Sequence, residues 1–374
     1  MIVLLVNTSI DPVSGGGTAT RTVQLARSIQ KDFKVECIIL STDQGLDETS
    51  KQHYSDLKTV ILPCLNDRFY IPYFSWAKLK ELVEKIDVIH LMSHWTIINA
   101  IVYLLARQLD KPYTFCPAGS LHIFGRSALL KNLYNLFIGK SLIKNASQCI
   151  AITNLEKKDF LGFNVQEELI SVIPNGIDGN EFCPNLEASN AFKNRFGLQR
   201  VPYILFMGRL NLIKGPDILL NAYIRLSLEF PNLHLVFAGP DEGLGDQLRK
   251  KIKEESLENR IHLIGYIEGY DKIGAYAGAE FLVVPSRREA MSIVALEAGA
   301  CGTPVILSTE CGFDEVEEAG CKVVLPLVDE LYNGMHSVLS SSKSLSALGN
   351  DLRDLILDRY KWQKTAEQYL NLSH

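Results

Sequence analysis

The sequence predicts an α/β protein built as two units, each an open parallel sheet with helices on its faces. Three observations lead there. The 374-residue chain exceeds what one ordinary hydrophobic core encloses, and 47% hydrophobic residues suffice to fill two. Short, unbroken apolar runs alternate with longer helical patterns, as strands covered on both faces require. The first run, residues 2–6, leads through the tight loop Gly15-Gly16-Gly17 into a helical pattern, the βα step from which such sheets grow.

In the first half, residues 2–6, 35–40, 59–62, 88–91, 113–116, 149–153 and 170–173 read as strands, and 19–29 as a helix. The turn at Gly15 to Gly17 places free backbone N–H groups at a helix start, where a phosphate can bind. The polar, helix-breaking passage from Cys183 to Arg200 reads as a linker. Beyond it, strands are expected at 204–207, 234–238, 261–264, 281–284 and 304–307, alternating with helices. The expected domains are residues 1–183 and 200–359.

Composition excludes several classes. The net charge of −5 divides into +1 for residues 1–180 (18 basic, 17 acidic) and −6 for 181–374 (20 basic, 26 acidic). No polybasic patch exists, so nucleic acid is not an expected partner and any membrane contact should be weak. The amino terminus lacks a basic region and reads as a buried strand, not an export signal. No uncharged stretch is long enough to span a bilayer. Eight scattered cysteines without metal spacing suit small core residues of a reduced, cytoplasmic protein.

Two constellations carry chemistry. In the first, Glu289 stands at the turn between a strand ending near Pro285 and a helix predicted over 290–299, where free N–H groups can hold an anion. Glu297 lies two helical turns further on, inside an otherwise apolar helix, where a charge without partners is costly. Ligand hydroxyls are suitable partners for both. In the second, the strand at 203–207 runs into Gly208-Arg209, and Lys214-Gly215 precedes the next helix. Arg209 and Lys214 thus occupy the ligand edge of a parallel sheet, and a fork of donors beside a point charge suits a diphosphate leaving group. Each of these residues alone also admits a bland reading as a solvated or dipole-stabilising side chain.

Other motifs are weaker. His90 and His94 have the helical spacing of metal ligands, but His90 ends a strand, so a core or cleft histidine is the better reading. No Asp-X-Asp sequence occurs, and no catalytic metal is expected. Gly15 to Gly17 lacks the Gly-X-Gly-X-X-Gly spacing of dinucleotide binding, which argues against NAD.

Gly208-Arg209-Leu210 with Lys214-Gly215 and Asp217, Glu289 and Glu297 separated by seven residues, and Gly302-Thr303-Pro304-Val305-Ile306 closely resemble the retaining, metal-independent glycosyltransferases of family 4. Gly15 to Gly17, Asp87-Val88-Ile89-His90, Ile173-Pro174-Asn175-Gly176-Ile177-Asp178 and Tyr360-Lys361-Trp362 extend the match over essentially the whole chain. The resemblance implies the GT-B architecture, two Rossmann-like domains facing a central cleft, with a carboxy-terminal helix of about residues 360–374 crossing back to the first domain. It also implies transfer of a sugar from a UDP- or GDP-sugar to a hydroxyl acceptor, in polysaccharide, lipopolysaccharide or glycolipid synthesis, without a cofactor.

By that resemblance Arg209, Lys214 and Glu289 are catalytic. Gly16, Gly17, Gly208, Tyr266, Ile267, Met291, Ser292, Ile293 and Glu297 contact the donor, with Glu297 on the ribose and Tyr266-Ile267 beside the base. Two departures stand out. Many members have Phe-Gly at Met291-Ser292, so Ser292 either offers its hydroxyl or reshapes the sugar pocket. Many have His or Arg at Ala118, before Gly119; His94 or His122 could substitute on the acceptor side. The aromatic run at 65–76 and the lysine-dotted apolar run at 127–143 could touch a membrane holding a lipid-linked acceptor, or simply pack the first domain; a saccharide is the other acceptor class. Two rivals share the architecture: a nucleotide-sugar 2-epimerase, and a non-catalytic nucleotide-sugar-binding subunit.

Overall fold

The computed structural model of the protein describes residues 1–11, 14–47, 52–66, 70–121, 123 and 127–372. The chain divides into two compact units, one comprising Met1–Gly176 and Trp362–His374, the other Ile177–Lys361. Each is an α/β unit around a parallel sheet.

The first unit contains β1 (Ile2–Val6), β2 (Glu36–Thr42), β3 (Lys58–Leu62), the short hairpin β4 (Cys64–Asn66) and β5 (Ile71–Pro72), then β6 (Val88–Met92), β7 (Tyr113–Cys116), β8 (Gln148–Ala151) and β9 (Ile170–Val172). Its seven-stranded sheet runs β3-β2-β1-β6-β7-β8-β9, with every pairing parallel. The central strands β6 and β7 are buried throughout, which is why they are mostly apolar, with His90 and Thr114 as the polar members. The last helix, Trp362–Asn371, belongs to this unit and packs on the helix Gly16–Phe33. Fully buried Arg21 ties the two together. Its Nη2 donates to Tyr369 Oη at 3.1 Å and to the Ile173 carbonyl at 2.9 Å, and its Nη1 donates to Asn175 Oδ1 at 2.7 Å. A buried guanidinium is tolerated because its donors are matched.

The second unit contains β10 (Tyr203–Met207), β11 (His234–Ala238), β12 (Ile261–Gly265), β13 (Phe281–Val284), β14 (Val305–Ser308) and β15 (Lys322–Val324), in the order β12-β11-β10-β13-β14-β15, again all parallel. Its core gathers Phe206, Tyr223, Phe237, Phe281 and Ile306. In both sheets the strand order reverses beside the first strand, between β1 and β6 and between β10 and β13. Connections on the two sides of such a reversal run to opposite faces, so the carboxyl ends of those strands flank a crevice suited to ligands.

The structure corrects the sequence reading in several places. The expected linker at 183–200 holds the helix Leu186–Arg195, capped by Asn185, whose Oδ1 accepts the Ala188 N–H at 2.9 Å. Its buried face, Ala188, Ser189 and Phe192, lies on the helix Gly269–Gly278. A Cβ on Gly274 would come within 2.3 Å of the Ala188 carbonyl oxygen, so that glycine sets the contact distance. The helix predicted over 290–299 begins at Ile293, because Ser292 is its N-cap. The hairpin β4-β5 and the three-residue edge strand β15 escaped detection, being too short to show a period.

Candidate functional site

The reversal between β10 and β13 brings two loops together. The loop after β10 carries Gly208 to Gly215, and the loop after β13 carries Pro285 to Ser292. Gly215 stands where they touch. Its φ is +70°, and a Cβ there would lie 2.2 Å from the Pro285 carbonyl oxygen, so only glycine fits. Arg287 clamps the pair with a fork to Asp217, Nη1 to Oδ1 at 2.8 Å and Nη2 to Oδ2 at 2.6 Å, and donates to the Leu212 carbonyl at 2.6 Å. The Arg287 N–H donates to the Ile213 carbonyl at 2.7 Å. The Asp217 carboxylate raises the Arg287 pKa.

Within this frame Lys214 Nζ donates to Glu289 Oε1 at 2.7 Å, and Ser286 Oγ donates to Oε2 at 3.0 Å. Both partners are mostly buried, with side chains 22% and 13% exposed. The Arg209 guanidinium instead meets Glu242 Oε1 at 3.1 Å and is more open. Asn211 Nδ2 donates to the same Glu242 carboxylate at 2.8 Å. Lys214 and Glu289, expected to act together, are therefore joined, while Arg209 reaches the same sheet edge from a separate pair. Gly208 closes β10 against Gly239, where a Cβ would lie 1.9 Å from the Gly208 carbonyl oxygen.

Ser292 is buried, and its Oγ accepts the Ala295 N–H at 3.3 Å. Of the two roles open to it, the hydroxyl thus has a structural one, capping the helix Ile293–Ala300. Met291 is buried and Ile293 half-buried beside it. Glu289 precedes the helix, so helical periodicity does not relate it to Glu297, contrary to the sequence argument. Glu297 is 3% exposed. Its Oε1 accepts from Lys272 Nζ at 2.7 Å and its Oε2 from Tyr276 Oη at 2.6 Å. Burial and the Glu297 charge push the Tyr276 pKa well up. The partners that an acid in an apolar helix demands thus come from the helix Gly269–Gly278, a contact invisible to local pattern. Tyr266 is exposed at the carboxyl end of β12, with its hydroxyl donating to Glu268 Oε2 at 3.1 Å, and Ile267 is buried behind it.

In the first unit, Gly16 and Gly17 open the helix Gly16–Phe33, whose N-cap Gly15 provides no side-chain cap. Gly16 has φ +57°. His94 follows β6 and is buried; its Nε2 donates to Asn135 Oδ1 at 3.0 Å, while Nδ1 has no partner among the described residues. Burial lowers its pKa to about 4. Gly119 follows β7, and its N–H donates to the buried carboxylate of Glu156, whose pKa burial pushes up to about 7. Ser93, Trp95 and Ala118, at the carboxyl ends of β6 and β7, all have positive φ of 75°, 51° and 50°. Such strain concentrates at functional sites. His122 lies outside the described residues. His90, on β6, is buried with Nδ1 2.7 Å from Thr114 Oγ1, a core histidine.

Sequence reasoning missed the Asp217–Arg287 clamp, Lys272 and Tyr276 around Glu297, and Glu156 behind Gly119. Thr153 three residues before Glu156 is the one local signal, since the two form the start of a capping box; Thr153 Oγ1 accepts the Glu156 N–H at 3.4 Å.

Comparison with known proteins agrees with this arrangement. The profile described as glycosyl transferases group 1 matches residues 189–354, and that described as glycosyltransferase family 4 matches residues 15–181. An uncharacterized glycosyltransferase of Methanocaldococcus jannaschii is 32% identical over 232 residues, 60% of this chain and 59% of that protein. The D-inositol 3-phosphate glycosyltransferase of Corynebacterium jeikeium is 30% identical over 190 residues, 48% of this chain and 45% of that one. The matches thus span about half the length of these curated relatives. Among solved structures, Anabaena HepE in complex with UDP and glucose superposes with a TM-score of 0.80 at 19% identity, covering 99% of this chain and 98% of that one. Sucrose-phosphate synthase from Thermosynechococcus elongatus gives 0.80 at 22%, covering 100% and 98%. At those identities the likeness establishes the fold, which is GT-B. With one profile on each half and the motif residues at the sheet reversal, the chain belongs to glycosyltransferase family 4, group 1.

Proposed function

We propose that the protein transfers a sugar, with retention at the anomeric carbon and without a metal ion, from a nucleotide diphospho-sugar to a hydroxyl of a saccharide or lipid-linked acceptor. The observation that carries this reading is the Lys214–Glu289 pair at the β10/β13 reversal. A diphosphate gains negative charge as its bond to the sugar breaks, and a fixed ammonium beside it lowers the barrier more than it tightens the ground state. Lys214 takes that role, and Arg209, swinging from Glu242, adds a second positive charge. Glu289 orients both Lys214 and the sugar hydroxyls. Glu297, oriented by Lys272 and Tyr276, faces the ribose. The leaving phosphate oxygen accepts the acceptor proton, so no separate carboxylate base is needed. UDP, bound by Anabaena HepE, is the first nucleotide to test and GDP the second.

The test is incubation with UDP- and GDP-sugars in the presence of a chelator, with nucleotide release followed and the anomer of the product assigned by NMR. Release of one nucleotide with a retained anomer is expected. An inverted product, or a strict need for Mg²⁺, would contradict the mechanism.

A further inference from the structure

Arg287, Lys214 and Arg209 each meet a carboxylate of the protein itself: Asp217, Glu289 and Glu242. A diphosphate reaching this sheet edge must therefore draw a base away from a carboxylate. Arg209 is the base most readily drawn. It and Glu242 are 42% and 40% exposed, against 22% and 13% for Lys214 and Glu289, so water already screens their attraction. Arg287 is held further, by its fork and by the Leu212 carbonyl.

The backbone places Glu242 for this contact. The Leu210 N–H donates to the Pro240 carbonyl at 2.8 Å, and the N–H groups of Glu242 and Leu244 donate to the Leu210 carbonyl at 3.3 and 3.2 Å, which laces the loop after β11 to the loop after β10. Neighbouring Asp241 is occupied within its own loop, its Oδ1 accepting the Gly243 and Gly245 N–H groups at 2.9 Å each. Glu242 instead divides its carboxylate, Oε1 to Arg209 at 3.1 Å and Oε2 to Asn211 Nδ2 at 2.8 Å. Asn211 then turns back on the loop: its N–H donates to the Arg209 carbonyl at 2.9 Å, and its Oδ1 accepts the Lys214 N–H at 3.0 Å. One carboxylate thus bears on both bases assigned to the diphosphate.

We infer that Glu242 is the resting counter-ion of the donor site: it holds Arg209 in the free protein, yields it to the incoming diphosphate, and takes it back as the nucleotide leaves. A diphosphate offers more negative charge and more acceptor oxygens than one carboxylate, so it wins the guanidinium on entry. The inference rests on the donor-site reading above and adds a positioning residue that acts through Arg209. Removing the Glu242 charge strengthens the ground state and the transition state alike, so KM for the donor falls with no gain in kcat.

The test is calorimetric titration of UDP and GDP into the wild-type protein and Glu242→Gln, which keeps the side-chain length and an oxygen for Asn211. Binding about two- to fivefold tighter in the variant is expected, the scale of one exposed ion pair, with the gain shrinking at high salt. Most of the gain should vanish in an Arg209→Met background, where no guanidinium is left to release. With a nucleotide sugar as donor, Glu242→Gln should lower KM and leave kcat no higher. A carboxylate that merely supports the loop predicts the opposite sign, weaker binding and a lower melting temperature. Nucleotide binding by the wild type that is unchanged or weakened in Glu242→Gln, or the same gain in the Arg209→Met background, would overturn the inference alone. Binding of neither nucleotide by the wild type would overturn the donor-site reading and this inference with it.

Discussion

Lys214 Nζ, in the loop after β10, lies 2.7 Å from Glu289 Oε1, in the loop after β13, so this ion pair, beside the Arg287–Asp217 fork, joins the loops that follow the two strands flanking the reversal of the second sheet. Because both side chains are largely buried, removal of either leaves a charge poorly solvated. Lys214→Ala should therefore lower kcat by roughly 10²- to 10³-fold, the range for losing one electrostatic stabiliser of a transition state. It should also lower the melting temperature, while Lys214→Met with Glu289→Gln should restore stability without restoring turnover. Steady-state kinetics and thermal melts on the two variants and the wild type check both parts.

Gly215→Ala combines a left-handed φ of +70° with a Cβ 2.2 Å from a backbone oxygen. Neither the loop nor Pro285 can give way cheaply, so destabilisation of about 1–3 kcal/mol or more is expected, with loss of donor binding. Urea unfolding measures the first and calorimetric titration of nucleotide the second.

Lys272→Met leaves the Glu297 carboxylate buried with only Tyr276 as donor. A cost of about 3 kcal/mol is expected, the usual penalty for breaking a buried pair from one side. Glu297→Leu in the same background should recover most of it and raise KM for the donor far more than it changes kcat. A double-mutant cycle read by denaturant unfolding, with kinetics in parallel, provides the check.

Acid should weaken the first unit through its histidines. Burial holds the His90 pKa down to about 3 and that of His94 to about 4, so between pH 6.5 and 4 the unfolded chain binds protons that the native state refuses. Stability falls with falling pH in that window by about 1.4 kcal/mol per unit for each histidine. Glu156, raised to about 7, acts in the opposite sense, because its native state is already protonated where the unfolded one is not. Asp159, which burial raises to about 6, acts in the same sense as Glu156, so the histidine contribution is read by difference from a variant. His94→Gln should reduce the slope by one proton's worth in urea unfolding at pH 5 and 7.

The legible parts of this protein were those encoded locally. Strands such as Tyr203–Met207 and Phe281–Val284 are buried on both sides, so their apolar runs announce themselves. Gly208, Lys214, Gly215 and Glu289 could be placed at the sheet edge because apolar strands run directly into their loops, and Glu297 stood out as an acid in an apolar helix. What the sequence concealed depends on contacts distant along the chain. The fork of Arg287 on Asp217 spans 70 residues, and the Lys272–Glu297 pair 25. The helix Leu186–Arg195 was hidden for a different reason: only a narrow face of Ala188, Ser189 and Phe192 is buried, so polar composition suggested a linker. Ser292 was seen as a departure, but its capping bond required the helix start to be known.

The most direct test of the central claim is calorimetric titration of UDP and GDP into the wild-type protein and into Lys214→Ala. Binding of one nucleotide, weakened at least about tenfold (about 1.4 kcal/mol) in a variant that still melts cooperatively, is the predicted result. Binding of neither nucleotide, or equal binding to both proteins, would contradict the assignment of Lys214 and Glu289 to a nucleotide-sugar donor.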